Sequence, residues 1–250
     1  MAVKFINCKA HEVRALLADP PLKTMTRRAL KPQPWDGSEL DQLYKDNKLN
    51  GAWFAQFWRD NKPWNAPLPY APGDLLYVRE THVIECNYEY REHWQHPGDG
   101  RPVRTVDRGP DWGECELIPH YRATEPEPHI VHEDNEDGDD RTRWTPSIHM
   151  PRWASRITLR VTDVKIERLQ DISEADALAE GVWHASAEYR DEVCTWRDAP
   201  TVLARLPAKH FAKLWNDING PDAWESNPWV TATSFEVIKA NVDQVLQEAA

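Results

Sequence analysis

The stretch SRITLRVTDVKIERL, Ser155–Leu169, decides the fold class. Ile157, Leu159 and Val161 recur at every second residue, the period of a strand with one buried face. Val164 and Ile166 resume that period one residue out of phase. A β-bulge near Thr162-Asp163 accounts for the slip, a common device of curved sheets and barrels. Immediately downstream the pattern turns helical: Ser173 caps a short segment, Glu174 to Glu180, which Gly181 ends in a left-handed conformation.

Further along, a helix is predicted from about Thr201 to Asn219, with Leu203, Leu206, His210, Phe211, Leu214 and Ile218 near one stripe and Gly220 as its stop. Pro207 either kinks this helix or marks its start. A last strand, Pro228 to Val237, alternates Trp229, Thr231, Thr233, Phe235 and Val237, and a short helix follows from Asn241. Towards the N-terminus, VKFI at Val3 to Ile6 reads as a strand, and His11 to Ala18 as a helix with Val13, Leu16 and Leu17 on one face. Asp19-Pro20-Pro21 stops that helix, and Leu22 to Arg28 suits an extended strand. Pro72-Gly73-Asp74 is a tight-turn signal leading into a strand from Leu75 to Val78.

Two segments, about 31–69 and 84–147, show no sustained period and read as insertions. The first holds a helix candidate around Gly51 to Asp60; the second is expected to be an irregular surface loop. The fold class expected is α+β: one domain over 1–250, with a β-rich core of about five to six strands and short peripheral helices.

With 40% hydrophobic and 28% charged residues, the balance is that of a globular protein rather than a disordered one. No apolar run approaches bilayer length and no signal core opens the chain, so a cytoplasmic protein without a membrane partner is expected. The four cysteines are scattered with no CxxC pair, which argues for reduced thiols and against a zinc ribbon or disulfide framework. More than half of the net charge of −11 comes from Glu133, Asp134, Glu136, Asp137, Asp139 and Asp140. An acidic chain of this kind is no general electrostatic trap for nucleic acid.

Four pieces occur in a telling order: Lys23-Thr24-Met25-Thr26-Arg27-Arg28, then Pro72-Gly73-Asp74, then Ile172 to Gly181, then Asn227-Pro228-Trp229 into the last strand. This order resembles the ASCH domain, a PUA-like β-barrel, over roughly residues 3–30, 70–83 and 153–238. The length and Trp-rich insertions are similar to those of phage-encoded members. The resemblance implies an amidohydrolase of the N(4)-acetylcytidine type that removes an acyl group from a modified nucleoside without a cofactor. By motif position its catalytic residues fall on Lys23, Thr26 and Glu180.

Amide cleavage needs a nucleophile, a base, an acid for the leaving amine and donors for the oxyanion. Thr26 offers a hydroxyl that a desolvated Lys23 can deprotonate; Glu180 can instead activate water. Both routes stay open on the sequence. In a strand, residues i and i+3 face opposite sides unless the chain bends, so the meeting of Lys23 and Thr26 depends on a bend.

Substrate-binding candidates are Arg27 and Arg28, suited to a carbonyl or phosphate oxygen, and His149, Arg152 and Trp153 just before the long strand. No metal is expected, because the histidines lack partners at ligand spacing. Of thirteen tryptophans, Trp35, Trp53, Trp58, Trp64, Trp94, Trp112 and Trp144 lie outside the expected barrel. They either pack loops onto the core or stack on unpaired bases. The alternatives to hydrolysis are therefore an RNA- or DNA-binding module on the same barrel and a phage protein that engages a host protein.

Overall fold

The computed structural model describes residues 2–49, 51–88, 101–107, 114–124, 126–130, 141–182 and 207–249. In chain order the elements are β1 (Val3–Asn7), α1 (Ala10–Leu17), β2 (Met25–Ala29), β3 (Glu39–Asp46), β4 (Ala52–Arg59), β5 (Lys62–Pro67), β6 (Leu75–Arg79) and β7 (His82–Tyr88). There follow β8 (Arg104–Asp107), β9 (Glu114–Tyr121), β10 (Thr158–Arg168), α2 (Glu174–Ala179), α3 (Pro207–Asn219), β11 (Trp229–Ile238) and α4 (Val242–Glu248). The fold is α+β, with parallel and antiparallel pairings and few helices, and among the described residues no sheet closes into a barrel.

The chain divides into two compact units, each assembled from segments distant in sequence. The first comprises Met1–Ala2, Ala18–Asp74 and Arg160–Glu236; the second comprises Val3–Leu17, Leu75–Leu159 and Val237–Ala250.

In the first unit β11 lies between β10 and β2. β2 pairs antiparallel with β11 without a break, Thr26 opposite Thr233 and Arg28 opposite Thr231. Along β10 the buried apolar positions are Leu159 and Val161, then Val164 and Ile166, so the change of face falls at Thr162-Asp163 where the sequence places it. Leu169, Ile172, Ala177, Val182, Phe211, Trp215 and Val230 form the core beneath α2 and α3. The described part of helix α3 runs from Pro207 to Asn219. The part of the predicted helix before Pro207 lies outside the described residues.

The segment 31–69 holds an antiparallel meander, β3-β4-β5, and the helix expected around Gly51 to Asp60 is instead strand β4. Ala55 and Phe57, two residues apart, are both wholly buried, which is a strand's period and not a helix's. Asp60 and Asn61, with φ of 51° and 57°, form the two-residue turn into β5, the backbone that a tight hairpin requires. Phe57 packs against Trp64 and against the edge of Trp229, at 5.7 and 5.0 Å between ring centres. Those two tryptophans are thus packing residues.

In the second unit β1 and β6 pair in parallel. Segment 84–147 is only partly irregular: much of its described part joins an antiparallel sheet in the order β7-β9-β8, while 126–130 and 141–146 hold no regular element. This sheet also corrects the expectation of four reduced thiols, since Cys86 and Cys115, 29 residues apart, form a disulfide between β7 and β9. Spacing in sequence could not reveal a pair that only the pairing of β7 with β9 brings together. Cys8 is buried and outside any disulfide, and Cys194 lies outside the described residues. No helix among the described residues is long and apolar enough to cross a membrane.

Candidate functional site

The entry to β2 and the end of α2 meet in the first unit. The helix α2 is opened by Ser173, whose hydroxyl accepts from the Asp176 N–H at 3.0 Å, and closed by Glu180, whose N–H donates to the Asp176 carbonyl at 3.0 Å. Gly181 then takes φ of +78°, the left-handed turn that lets the chain leave a six-residue helix. On the other side Lys23 precedes β2 and forms an antiparallel bridge with Glu180. The Thr24 N–H donates to the Ala179 carbonyl at 2.8 Å, while the Thr24 carbonyl accepts from Phe235 at 2.9 Å. Backbone hydrogen bonds on both sides therefore fix Lys23 against the end of α2.

The Lys23 ammonium donates to the Glu180 backbone carbonyl at 3.0 Å and to its carboxylate oxygen Oε2 at 3.1 Å. The two side chains are only 5% and 4% exposed. A cation at a helix C-terminus is favoured by the unpaired carbonyls there. The second Glu180 oxygen accepts from Arg27 Nη1 at 3.3 Å. Arg27 also donates through Nε and Nη2 to Glu167 Oε1, at 3.0 and 2.6 Å, and through Nη2 to Asp176 Oδ2 at 2.8 Å. Lys165 reaches the same Asp176 oxygen at 3.0 Å. Three cations thus face three carboxylates; Lys23, Arg27 and Glu180 are buried, whereas the side chains of Lys165, Asp176 and Glu167 are 44%, 18% and 17% exposed, so the dry centre is compensated from within and from its wetter rim.

Burial pushes the Glu180 carboxyl above its ordinary range, and Lys23 and Arg27 only partly oppose the shift. Asp176 moves the other way: burial pushes it up, but hydrogen bonds from Lys165 and Arg27 outweigh that and hold it below its ordinary range. Two carboxylates one helical turn apart therefore have pKa values driven in opposite directions, an arrangement that separates a proton carrier from a fixed anion.

Of the three catalytic candidates, Lys23 and Glu180 are in direct contact. Thr26 is buried and lies beside Arg27 in an unbroken ladder, so the two side chains leave opposite faces of β2. Arg27, expected to face a substrate, has a side chain with no exposed surface and holds Glu167, Asp176 and Glu180 instead. Arg28 is exposed.

The remaining candidates belong to the second unit. His149 is exposed at the end of a 3-10 turn, Arg152 pairs with Asp243, and Trp153 packs on Tyr121, Met150 and Ala154. Sequence reasoning missed Glu167, Asp176 and Lys165. Asp176 carried a usable signal, because it stands four residues before Glu180 and so on the same helix face.

No family model matches this chain, and no curated protein or solved structure matches it.

Proposed function

We propose that this chain is an amidohydrolase that removes an acyl group from the exocyclic nitrogen of a cytidine-type base, on a fold of the ASCH, PUA-like kind. The observation that carries the reading is the contact of Lys23 with Glu180 at 3.1 Å in a nearly dry setting. A buried ion pair is rarely retained for stability alone, because desolvation offsets most of its attraction. A carboxyl raised by burial beside a fixed cation is the equipment of general acid–base catalysis. The order of sequence motifs supplies the substrate class.

In this reading Glu180 takes a proton from water as the water oxygen attacks the acyl carbon. The carbon–nitrogen bond then breaks and the same proton passes to the departing amine, so that water and the acylated base become a carboxylic acid and the free base. The Lys23 ammonium stabilises the oxyanion that forms between these steps. Arg27 holds the Glu180 carboxylate in place through its other oxygen. Water is favoured over Thr26 as the nucleophile because the contacts of Glu180 are with Lys23 and Arg27, and Thr26 leaves the other face of the strand.

The test is incubation with N(4)-acetylcytidine followed by the ultraviolet shift to cytidine. Glu180→Gln and Lys23→Met are expected to lower turnover by about 10²–10⁴-fold, and Thr26→Ala by far less. A folded parent protein with no turnover overturns the reading. In that event the second reading, a nucleic-acid-binding module, gains from the exposed rings of Trp35 and Trp58, which are 47% and 40% accessible.

A further inference from the structure

We infer that the outer face of the β3-β4-β5 meander is a docking surface for an extended, basic peptide segment of another protein, one with two arginines four residues apart. The inference stands whether or not the chain is a hydrolase.

Strand pairing sorts the side chains of this sheet. Ala55 and Phe57 are buried on one face, so Phe54, Gln56 and Trp58 belong to the other. Register sets Glu39 and Pro63 beside Trp58, Gln42 and Asn65 beside Gln56, and Tyr44 and Pro67 beside Phe54. The solvent side of a half-buried antiparallel sheet is ordinarily polar, yet this one carries three aromatic residues, with Trp58 40% accessible. Strand addition does not account for them. The edges of the sheet are β3 and β5; a register shift between Leu40 and Gln42 interrupts the first, and Pro63 and Pro67 of the second have no N–H to offer. A partner is therefore met by the face.

Charge selects the partner. The ionised side chains on this face are Glu39, Asp41 and Asp46, whereas the neighbouring cations Lys45, Arg59 and Lys62 fall on the opposite face by register. None of the three carboxylates makes an ion pair among the described residues. A phosphate chain laid here meets no cation, while a basic segment meets three anions on a chain whose net charge of −11 already draws it in.

Geometry sets the spacing. Trp58 Nε1 donates to Asp41 Oδ2 at 3.1 Å, which fixes the indole, and Glu39 stands directly opposite Trp58 in the ladder. A guanidinium laid flat on that ring has carboxylate oxygens beside it for its N–H groups. Four residues along β4, Phe54 stacks with Tyr44 at 5.7 Å between ring centres, and Asp46 follows Tyr44 on the same face. Two places that pair an aromatic ring with an acid are thus separated by four strand residues, about 13 Å, which is also the reach of four residues in an extended peptide. An even spacing turns both of its arginines to one side. Between the two places Gln42 Nε2 donates to Gln56 Oε1 at 2.8 Å. That bond leaves the Gln42 oxygen to accept and the Gln56 nitrogen to donate, which are the two functions a peptide unit requires.

The experiment is fluorescence anisotropy of the full chain with three labelled probes. One is a short serine- and threonine-rich peptide with two arginines four residues apart; the second has the same composition with the arginines three apart; the third is oligocytidylate. The first peptide is expected to bind, and the second about tenfold more weakly, because its arginines leave opposite sides of an extended chain. Trp58→Ala and Glu39→Gln, both exposed, are each expected to weaken the first peptide by about tenfold with folding intact. Equal affinity for the two peptides would reduce the effect to net charge and overturn the inference. So would failure of the first peptide to bind, or binding that neither substitution weakens. Oligocytidylate binding that is lost in Trp58→Ala would assign the face to nucleic acid and overturn it as well.

Discussion

Asp176 and Glu180, one turn apart at the end of α2, both accept from the guanidinium of Arg27, at 2.8 and 3.3 Å. Glu167 on β10 is held by the same side chain at 2.6 Å. One arginine on β2 therefore binds the α2 end and a second strand together, and it keeps Glu180 from being an anion with a single partner. Lys23 and Arg27 divide the carboxylate between them: the first donates to its Oε2 at 3.1 Å, and the second braces Oε1.

Arg27→Met is expected to destabilise the protein by about 3–5 kcal/mol, because removing one partner of a buried charge cluster leaves the others uncompensated. The measurement is the urea midpoint at constant slope. Arg27→Lys should recover only part of the loss, since one ammonium cannot reproduce a planar fork that meets three carboxylates. A Met variant within about 1 kcal/mol of the parent, the range of a surface pair, would mean that the cluster is not structurally important.

The opposite shifts of Glu180 and Asp176 give opposite pH dependences. Glu180 is raised in the folded state, so its contribution is fully present below the ordinary glutamate value and is lost as pH rises through the folded value. Asp176 is lowered, so its contribution is present above the ordinary aspartate value and is lost as pH falls through the folded one. Glu180→Gln mimics the protonated acid. The parent should therefore lose stability relative to Glu180→Gln as pH rises above the ordinary glutamate range, followed by urea unfolding at a series of pH values. A difference that does not change with pH would show that Glu180 is not raised.

Much of this arrangement was legible in the residues themselves because it is local. The slip at Thr162-Asp163, the cap at Ser173 and the left-handed Gly181 each follow from a few neighbouring side chains. The partners of Arg27 did not follow, because Glu167 and Asp176 lie 140 and 149 residues away. No motif joins residues that distant. Strand β4 was misread for a different reason: Trp53, Phe54, Phe57 and Trp58 are apolar at both helical and strand spacings, so only the hairpin partner β5 decides between them. The Cys86–Cys115 pairing was hidden in the same way, since it follows from β7 and β9 being neighbours.

Gly181→Ala tests whether the end of α2 places Glu180. At φ of +78° a side chain costs about 1 kcal/mol, which thermal unfolding will read. If the left-handed turn positions the carboxylate, turnover should fall by more than this modest loss of stability explains, with the Michaelis constant little changed. Unaltered turnover at the reduced stability would assign the glycine to folding alone.

Asn241 offers a separate test in the second unit, because its two side-chain atoms have different tasks. The oxygen Oδ1 accepts the Asp243 N–H at 2.9 Å and caps α4; the nitrogen Nδ2 donates among the carbonyls of Ser155, Trp153 and Arg152, at 2.7, 3.0 and 3.1 Å. Asn241→Ala removes both, at about 1 kcal/mol for the cap and about 1–3 kcal/mol for buried carbonyls left without a donor. Asn241→Asp keeps the cap but turns a carboxylate towards three carbonyl oxygens in a site only 7% exposed. That carboxyl should be raised in the folded state, so the Asp variant gains stability as pH falls and loses it as pH rises. The Ala variant has no such group and should track the parent. Urea unfolding at acidic and neutral pH therefore separates the two tasks: an Asp variant whose deficit against the parent is the same at both pH values would show that the carbonyls do not depend on the amide donor.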